Sequence, residues 1–248
     1  MGSAESHEEE TLYEIFRTDI LELRLRPGMM ISIKDIGESY GTGRSPVRDA
    51  LIRLSKEGLI TFLPQRGTMI SKINFDRAES GRFLRSCVEE PVMIEFMSTN
   101  HAEAVAELEA SLQKQRHIAE TNDCREFLSE DIRFHSIFYH AVNRSYCDQL
   151  INSGAGDYRR IRLMSLTETG IAADIIEQHQ KLVDAVLEKN IERMHAIFAH
   201  HISLMISQEQ LLVEKYPDLF DKSDIEVRRE PDGLHVDFLL ETKSHNHS

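Results

Sequence analysis

Tryptophan is absent from the 248 residues, and aromatic side chains make up only 7% of them. Strands draw on aromatic and β-branched clusters, so this scarcity points to a mainly helical fold. No apolar run approaches the roughly 18 residues that a membrane span requires, and no membrane partner is expected. Met1 to Glu10 is acidic and polar, unlike a secretion signal. Cysteine is scarce as well. Cys87, Cys124 and Cys147 lie far apart and form no CxxC pair, which reads as reduced thiols in a cytoplasmic protein.

Hydrophobic residues at 41% are enough for packed cores, and charged residues at 29% suit a soluble chain. The net charge of −13 argues at first against nucleic acid, but its distribution does not. Leu12 to Phe75 carries ten Lys/Arg against seven Asp/Glu, whereas everything from Asp76 onward carries 19 against 31. A basic module fused to an acidic one can meet phosphates locally while the whole stays soluble.

Leu12, Ile15, Phe16, Ile20 and Leu23 recur at helical spacing until Pro27-Gly28 ends the segment. A short extended piece at Met30 to Ile33 precedes a second helix ending near Tyr40, and Gly41-Thr42-Gly43 makes a tight turn. A third helix sets Val47, Leu51 and Leu54 on one face and stops at Gly58. Leu59 to Leu63 and Thr68 to Ile73 read as a hairpin around Pro64-Gln65-Arg66-Gly67. That order predicts a winged helix-turn-helix over residues 11–73. Asn74 to Asp76 reads as a linker. An antiparallel bundle is then expected over 78–214, from helices near 78–99, 101–120, 123–143, 145–166, 172–189 and 191–214. The extension 215–248 breaks the pattern, with a hairpin around Glu230-Pro231-Asp232-Gly233 and a frayed end.

Two constellations carry chemistry. Arg44 and Arg48 lie four residues apart on one face of the third helix, opposite its apolar side. A helix in the major groove needs that division, with arginines directed at guanine edges and phosphates. Arg66 at the hairpin tip is placed for the adjacent minor groove, and Gly67 permits the tight turn. Farther on, Asp131 and His135 are also four apart, so one helical face can offer a carboxylate and an imidazole to one metal. His179 and His201 fall on two later helices whose antiparallel packing would bring both rings inward. Hydrogen-bonded core histidines are the competing reading of the same spacing.

The ordered set Pro27-Gly28, Arg44-Ser45-Pro46-Val47-Arg48-Asp49-Ala50-Leu51, Glu57-Gly58-Leu59-Ile60 and Pro64-Gln65-Arg66-Gly67 resembles the winged helix of the GntR family of dimeric regulators that bind short inverted repeats. The resemblance implies DNA contacts from Lys34, Arg44, Ser45 and Arg48, with Arg66 and Gly67 in the wing. One departure is Gly43, where the family usually has Ser or Thr, so the helix start lacks a side-chain acceptor. Residues 78–212, through Arg85 to Glu89, Asp131, Phe134-His135, Asn143, Glu177 to Ala185 and His201-Ile202, resemble the helical effector (FCD) domain of the FadR-type branch. That resemblance implies Asp131, His135, His179 and His201 as ligands of a divalent metal, zinc first, with nickel or manganese also fitting. It further implies a small carboxylic or sugar-acid effector beside the metal, with Arg85 and Asn143 as its contacts. Arg159, Arg160 and Arg162 are weaker candidates, read first as interhelix salt bridges. The expected function is a homodimeric transcription repressor or activator on double-stranded operator DNA. The alternative, a helical-bundle metalloenzyme acting on a small acid, lacks a general base: Glu177 is two residues from His179 and turns away from it.

Overall fold

Leu12, Phe16 and Ile20 fall on one face of α1 (Gly2–Leu21) and are buried against Val47, Leu51 and Leu54 of α3 (Arg44–Lys56). The computed structural model describes residues 2–99, 101–204 and 208–221, with residues 2–11 given by backbone alone. Between these helices lie β1 (Met30–Ile31) and α2 (Ile33–Tyr40). Ser32 caps α2 by accepting from the Asp35 N–H at 3.1 Å, and Gly41 ends it in the left-handed region at φ 66°. The turn into α3 is tight enough that a Cβ on Gly37 would lie 2.9 Å from the Thr42 carbonyl oxygen. Strands β2 (Ile60–Leu63) and β3 (Gly67–Ile70) form the hairpin, and β1 pairs on the far side of β3, all antiparallel. Gln65 at φ 60° and Gly67 at φ 105° turn the chain, and Gly67 is the residue type that adopts such a backbone without strain.

Eight further helices follow among the described residues: α4 (Phe75–Met97), α5 (Ala102–Thr121), α6 (Cys124–Ala141), α7 (Ser145–Gly154), α8 (Gly156–Thr169), α9 (Ala172–Leu187), α10 (Ile191–Leu204) and α11 (Glu209–Lys215). They pack chiefly as neighbours, α5 on α6, α9 on α10 and α4 on α8. Their cores centre on Phe134, Phe138, Leu182 and Phe198, and on Phe127, Leu163 and Ile175.

Three expectations are corrected. Asn74 is no linker residue: its side chain accepts from the Arg77 N–H at 2.9 Å and caps α4, which starts at Phe75. The helix expected over 145–166 is two helices, broken at Ala155. The break brings Gly156 so close to Leu59 that a Cβ there would meet Leu59 Cδ2 at 2.8 Å. The helix expected over 191–214 is represented by α10 and α11. The hairpin expected around 230–233 lies outside the described residues. What precedes it is a 3-10 turn, Pro217–Leu219, followed by a parallel bridge from Phe220 to Ile73. Phe220 stacks on Phe75 with centroids 4.7 Å apart, so this segment straps the junction between the two halves of the chain.

Polar contacts at that junction converge on α8. Arg160 is fully buried and donates to the Ser71 carbonyl at 2.8 Å and to Asp157. Arg77 donates to the same Asp157 at 2.6 Å and to the Gly58 carbonyl at 3.0 Å. Arg17 of α1 donates to Glu57 at 2.7 Å and to the Asn152 carbonyl of α7 at 3.0 Å.

Candidate functional site

On the N-terminal half, burial divides α3 as a groove-reading helix requires. Val47, Ala50, Leu51 and Leu54 are buried, while Arg44, Ser45 and Arg48 are exposed. Lys34 on α2 and Arg66 and Gly67 at the hairpin are exposed too. Lys34 lies 3.7 Å from Glu38. Gly43 is the N-cap of α3 and makes no side-chain cap, so Thr42 does not substitute for the missing acceptor. The first N–H groups of α3 therefore lack a side-chain partner, an arrangement that suits an anion at a helix start.

In the helical half, Asp131 and His135 of α6 meet His179 of α9 and His201 of α10. All four are buried, with one ligand atom from each within 4.8 Å of the others. His135 Nε2 lies 3.2 Å from His179 Nε2 and 3.1 Å from His201 Nε2. The opposite ring nitrogens explain this convergence. His135 Nδ1 donates to Glu89, His179 Nδ1 to Gln115 Oε1 at 2.8 Å, and His201 Nδ1 to Gln178 Oε1 at 3.1 Å. Each ring thus carries its proton on Nδ1, leaving three Nε2 lone pairs facing one another. Lone pairs at this spacing repel unless a cation lies between them. Two imidazoles about 2.1 Å from one ion would set their nitrogens about 3.0–3.4 Å apart. Asp131 Oδ1 is buried with no hydrogen-bond partner, and it lies 3.6 Å from His179 Nε2. The donor set and its orphaned oxygen fit a divalent ion.

Charge around the cluster is arranged to keep the carboxylates ionised and the imidazoles neutral. Burial works to raise Glu89, but Arg85 and His135 overcome it and hold the carboxyl near 2. Asp131 is likewise held well below the usual carboxylate range: burial opposes, while Arg162, which donates to its Oδ2, leads the groups that prevail. Burial drives all three histidines down, His179 to about 3. Gln115 is fixed by Ser111, which donates to Glu130 at 2.6 Å, so the His179 ring is set from two residues away. Phe134 stacks on that ring at 4.2 Å.

Beside the cluster is a cavity of about 30 Å³ walled by α4, α6, α7 and α8, room for about one water molecule. Arg85 lines it. Its Nε donates to Glu89 at 2.7 Å, and its Nη2 is buried with no partner. Tyr139 presents a hydroxyl there that is also without a partner. Asn143 is not brought to this place: it is an exposed, left-handed residue (φ 59°) just after α6, and it does not line the cavity. His140, His195 and His200 all stay outside the cluster, and Glu177 is exposed and paired with Lys181 at 2.5 Å. Sequence reasoning did not single out Gln115, Gln178 or Tyr139, and it gave Glu89 no role. The three arginines of α8, read as one group, separate into Arg160 at the junction, Arg162 on Asp131 and Arg159 on the cavity wall.

Residues 8–70 match the family described as bacterial regulatory proteins, gntR family, and residues 83–204 match the FCD domain. The chain is 25% identical over 211 residues to the HTH-type transcriptional repressor RspR of Escherichia coli, covering 85% of this chain and 92% of that one. It is 27% identical over 220 residues to an HTH-type transcriptional regulator of Streptomyces ambofaciens, covering 88% and 92%. Its fold is similar to the crystal structure of a transcriptional regulator GntR from Rhodococcus sp. RHA1, with a TM-score of 0.69 at 21% identity, covering 82% and 97%. The alternative of a metalloenzyme gives way to these findings, because homologues and fold alike are those of regulators. The chain belongs to the GntR family of bacterial transcription regulators and carries an FCD domain behind its winged helix.

Proposed function

We propose that this regulator works in the cytoplasm as a homodimeric repressor on an inverted-repeat operator, and that a small acid bound beside a divalent metal controls its grip. Residues 11–73 form the DNA-binding unit and residues 78–214 the effector and dimerisation unit. Arg44, Ser45, Arg48 and Lys34 meet the operator, with the uncapped start of α3 closed by a phosphate, and Arg66 and Gly67 enter as the wing. Repression is supported by the name of the E. coli relative. Exposed Phe83 and Leu84 on the outer side of α4 are apolar surface that a second copy would cover.

The observation that carries the effector reading is the convergence of three proton-free Nε2 atoms and one orphaned carboxylate oxygen next to a cavity with an unpartnered arginine N–H. Asp131, His135, His179 and His201 would hold the ion, zinc first, with nickel or manganese as alternatives. When bound, the ion supplies a Lewis-acid anchor for a carboxylate. Arg85 Nη2 gives the same acid a charged donor, and Glu89, Gln115 and Gln178 keep the imidazoles aimed.

Two measurements test this. Elemental analysis of protein prepared without chelator should show about one divalent ion per chain, lost in His179→Ala; a content near zero across preparations removes the metal. Arg44→Ala with Arg48→Ala should abolish sequence-specific binding to the gene's own upstream region, and wild-type affinity should fall steeply with salt. Unchanged specific binding removes the recognition-helix assignment.

A further inference from the structure

The two carboxylate oxygens of Asp131 are used differently. Oδ2 accepts from Arg162 Nη2 of α8, whereas Oδ1 is buried without a hydrogen-bond partner and lies 3.6 Å from His179 Nε2. Arg162 is itself held in place. It is buried, and its guanidinium carbon lies 5.4 Å from the centre of the Tyr158 ring, one helical turn earlier. A carboxylate pinned in this way can give a metal one oxygen but not both. Each imidazole is equally committed, because its Nδ1 is tied to Glu89, Gln115 or Gln178 and only Nε2 is left. The chain thus supplies one oxygen and three nitrogens. Water can add little to that set. Asp131, His135, His179 and His201 are all at most 4% exposed, and the neighbouring cavity, lined by His135 and Arg162, has room for about one water molecule.

We propose that Arg162 sets the metal preference of this cluster, by holding Asp131 to a single oxygen and so limiting an ion to four or five ligands. The inference rests on the proposed metal site and adds to it the residue that selects the ion. Zinc is satisfied by four ligands in a tetrahedron and accepts a fifth. Manganese favours six, chiefly oxygen. To reach six here it would need three Nε2 atoms, both Asp131 oxygens and the one position open on the cavity side. Arg162 withholds the second oxygen, so the pocket stops at five. Charge alone would not produce this preference. Loss of a nearby cation strengthens the binding of every divalent ion, whereas loss of the pin favours the ion that can use Oδ2.

Metal-free full-length protein, titrated with zinc chloride and with manganese chloride against a chromophoric chelator, gives the ratio of the two affinities. Arg162→Met should lower the zinc-to-manganese ratio by about ten- to a hundredfold, the usual scale for a group acting behind a metal ligand, with manganese gaining most. Arg162→Lys, which keeps a charge and a donor beside Oδ2, should retain most of the wild-type preference. Cobalt chloride reads the number of ligands directly, because its visible band is strong with four, intermediate with five and weak with six. Wild type should give a strong or intermediate band, and Arg162→Met a weak one. A weak band in the wild type overturns the inference even if Arg162→Met fails to fold. Equal changes of both affinities in Arg162→Met also overturn it and leave the metal site standing, since a charge would act that way and a pin would not. If none of the three ions binds the wild type, the metal site falls and the inference with it.

Discussion

Asp157 is the residue whose removal should most damage the junction between the two halves. Its carboxylate accepts from Arg160 and Arg77 at once, and the two arginines differ in what they do when it is lost. The Arg77 side chain is 46% exposed and also donates to the Gly58 carbonyl. It can return to water, so its share of the loss is screened to about 0–1 kcal/mol. Arg160 is 0% exposed and keeps only the Ser71 carbonyl. An uncompensated buried charge of this kind typically costs about 3–5 kcal/mol. Asp157→Ala should therefore lower stability by about 3–5 kcal/mol in urea denaturation, or about 6–20 °C in melting temperature for a chain of this size.

Arg160→Met in the same background supplies the control. Replacing both members of a buried pair by apolar side chains is far milder than removing one. The double variant Asp157→Ala with Arg160→Met should therefore be more stable than Asp157→Ala alone, giving a coupling of about 2–3 kcal/mol in the mutant cycle. A cost below about 1 kcal/mol for Asp157→Ala, or strictly additive effects, would refute the view that this ion pair joins the halves.

Gly37→Ala should cost about 1–3 kcal/mol, because its Cβ would lie 2.9 Å from the Thr42 oxygen in a turn that cannot widen without moving α3; denaturant midpoints matching wild type would contradict this. Metal-stripped protein should lose stability on acidification. Burial holds His135, His179 and His201 below their ordinary values, so the unfolded chain binds more protons once the pH falls below about 6.5. The slope should reach about 1.4 kcal/mol per pH unit for each histidine that stays neutral in the fold, and a flat profile between about pH 7 and 5 in EDTA would show that the rings are not buried neutral.

What could be read from the sequence was carried by short spacings. Arg44 and Arg48 against Val47 and Leu51 announce their two faces within two helical turns, and Asp131 with His135 does the same. His179 and His201 needed the family pattern, because nothing local says that α9 and α10 turn those rings toward α6. Glu89, Gln115 and Gln178 were illegible as the groups that aim the imidazoles, since two of the three act on a ring at least 46 positions away. The helix expected across 145–166 fails for a similar reason. The break falls between the weak helix formers Gly154 and Gly156, and the close packing of Gly156 on Leu59 from the other half of the chain is a contact that no local spacing announces. Asn74 was mistaken for linker although Asn is a strong cap signal, because its position was read as a gap between patterns.

Helix α8 lies between the cavity and the winged helix and carries three buried or half-buried arginines. Successive side chains on a helix point about 100° apart, so Arg159 and Arg162, three apart, lie on one face and both line the cavity, while Arg160 points away from it. Arg162 reaches the Asp131 carboxylate, Arg159 the cavity, and Arg160 the backbone of Ser71 at the end of the hairpin. The cavity and the end of the hairpin are thus separated by the width of one helix. Useful coupling between effector and DNA is typically about 1–3 kcal/mol, which is the scale of one rearranged charge-assisted hydrogen bond. A small rotation of α8 that alters Arg159 on one side necessarily alters Arg160 on the other. Asp157, held between Arg160 and Arg77, ties α8 to the start of α4 and, through Arg77, to the Gly58 carbonyl of the winged helix.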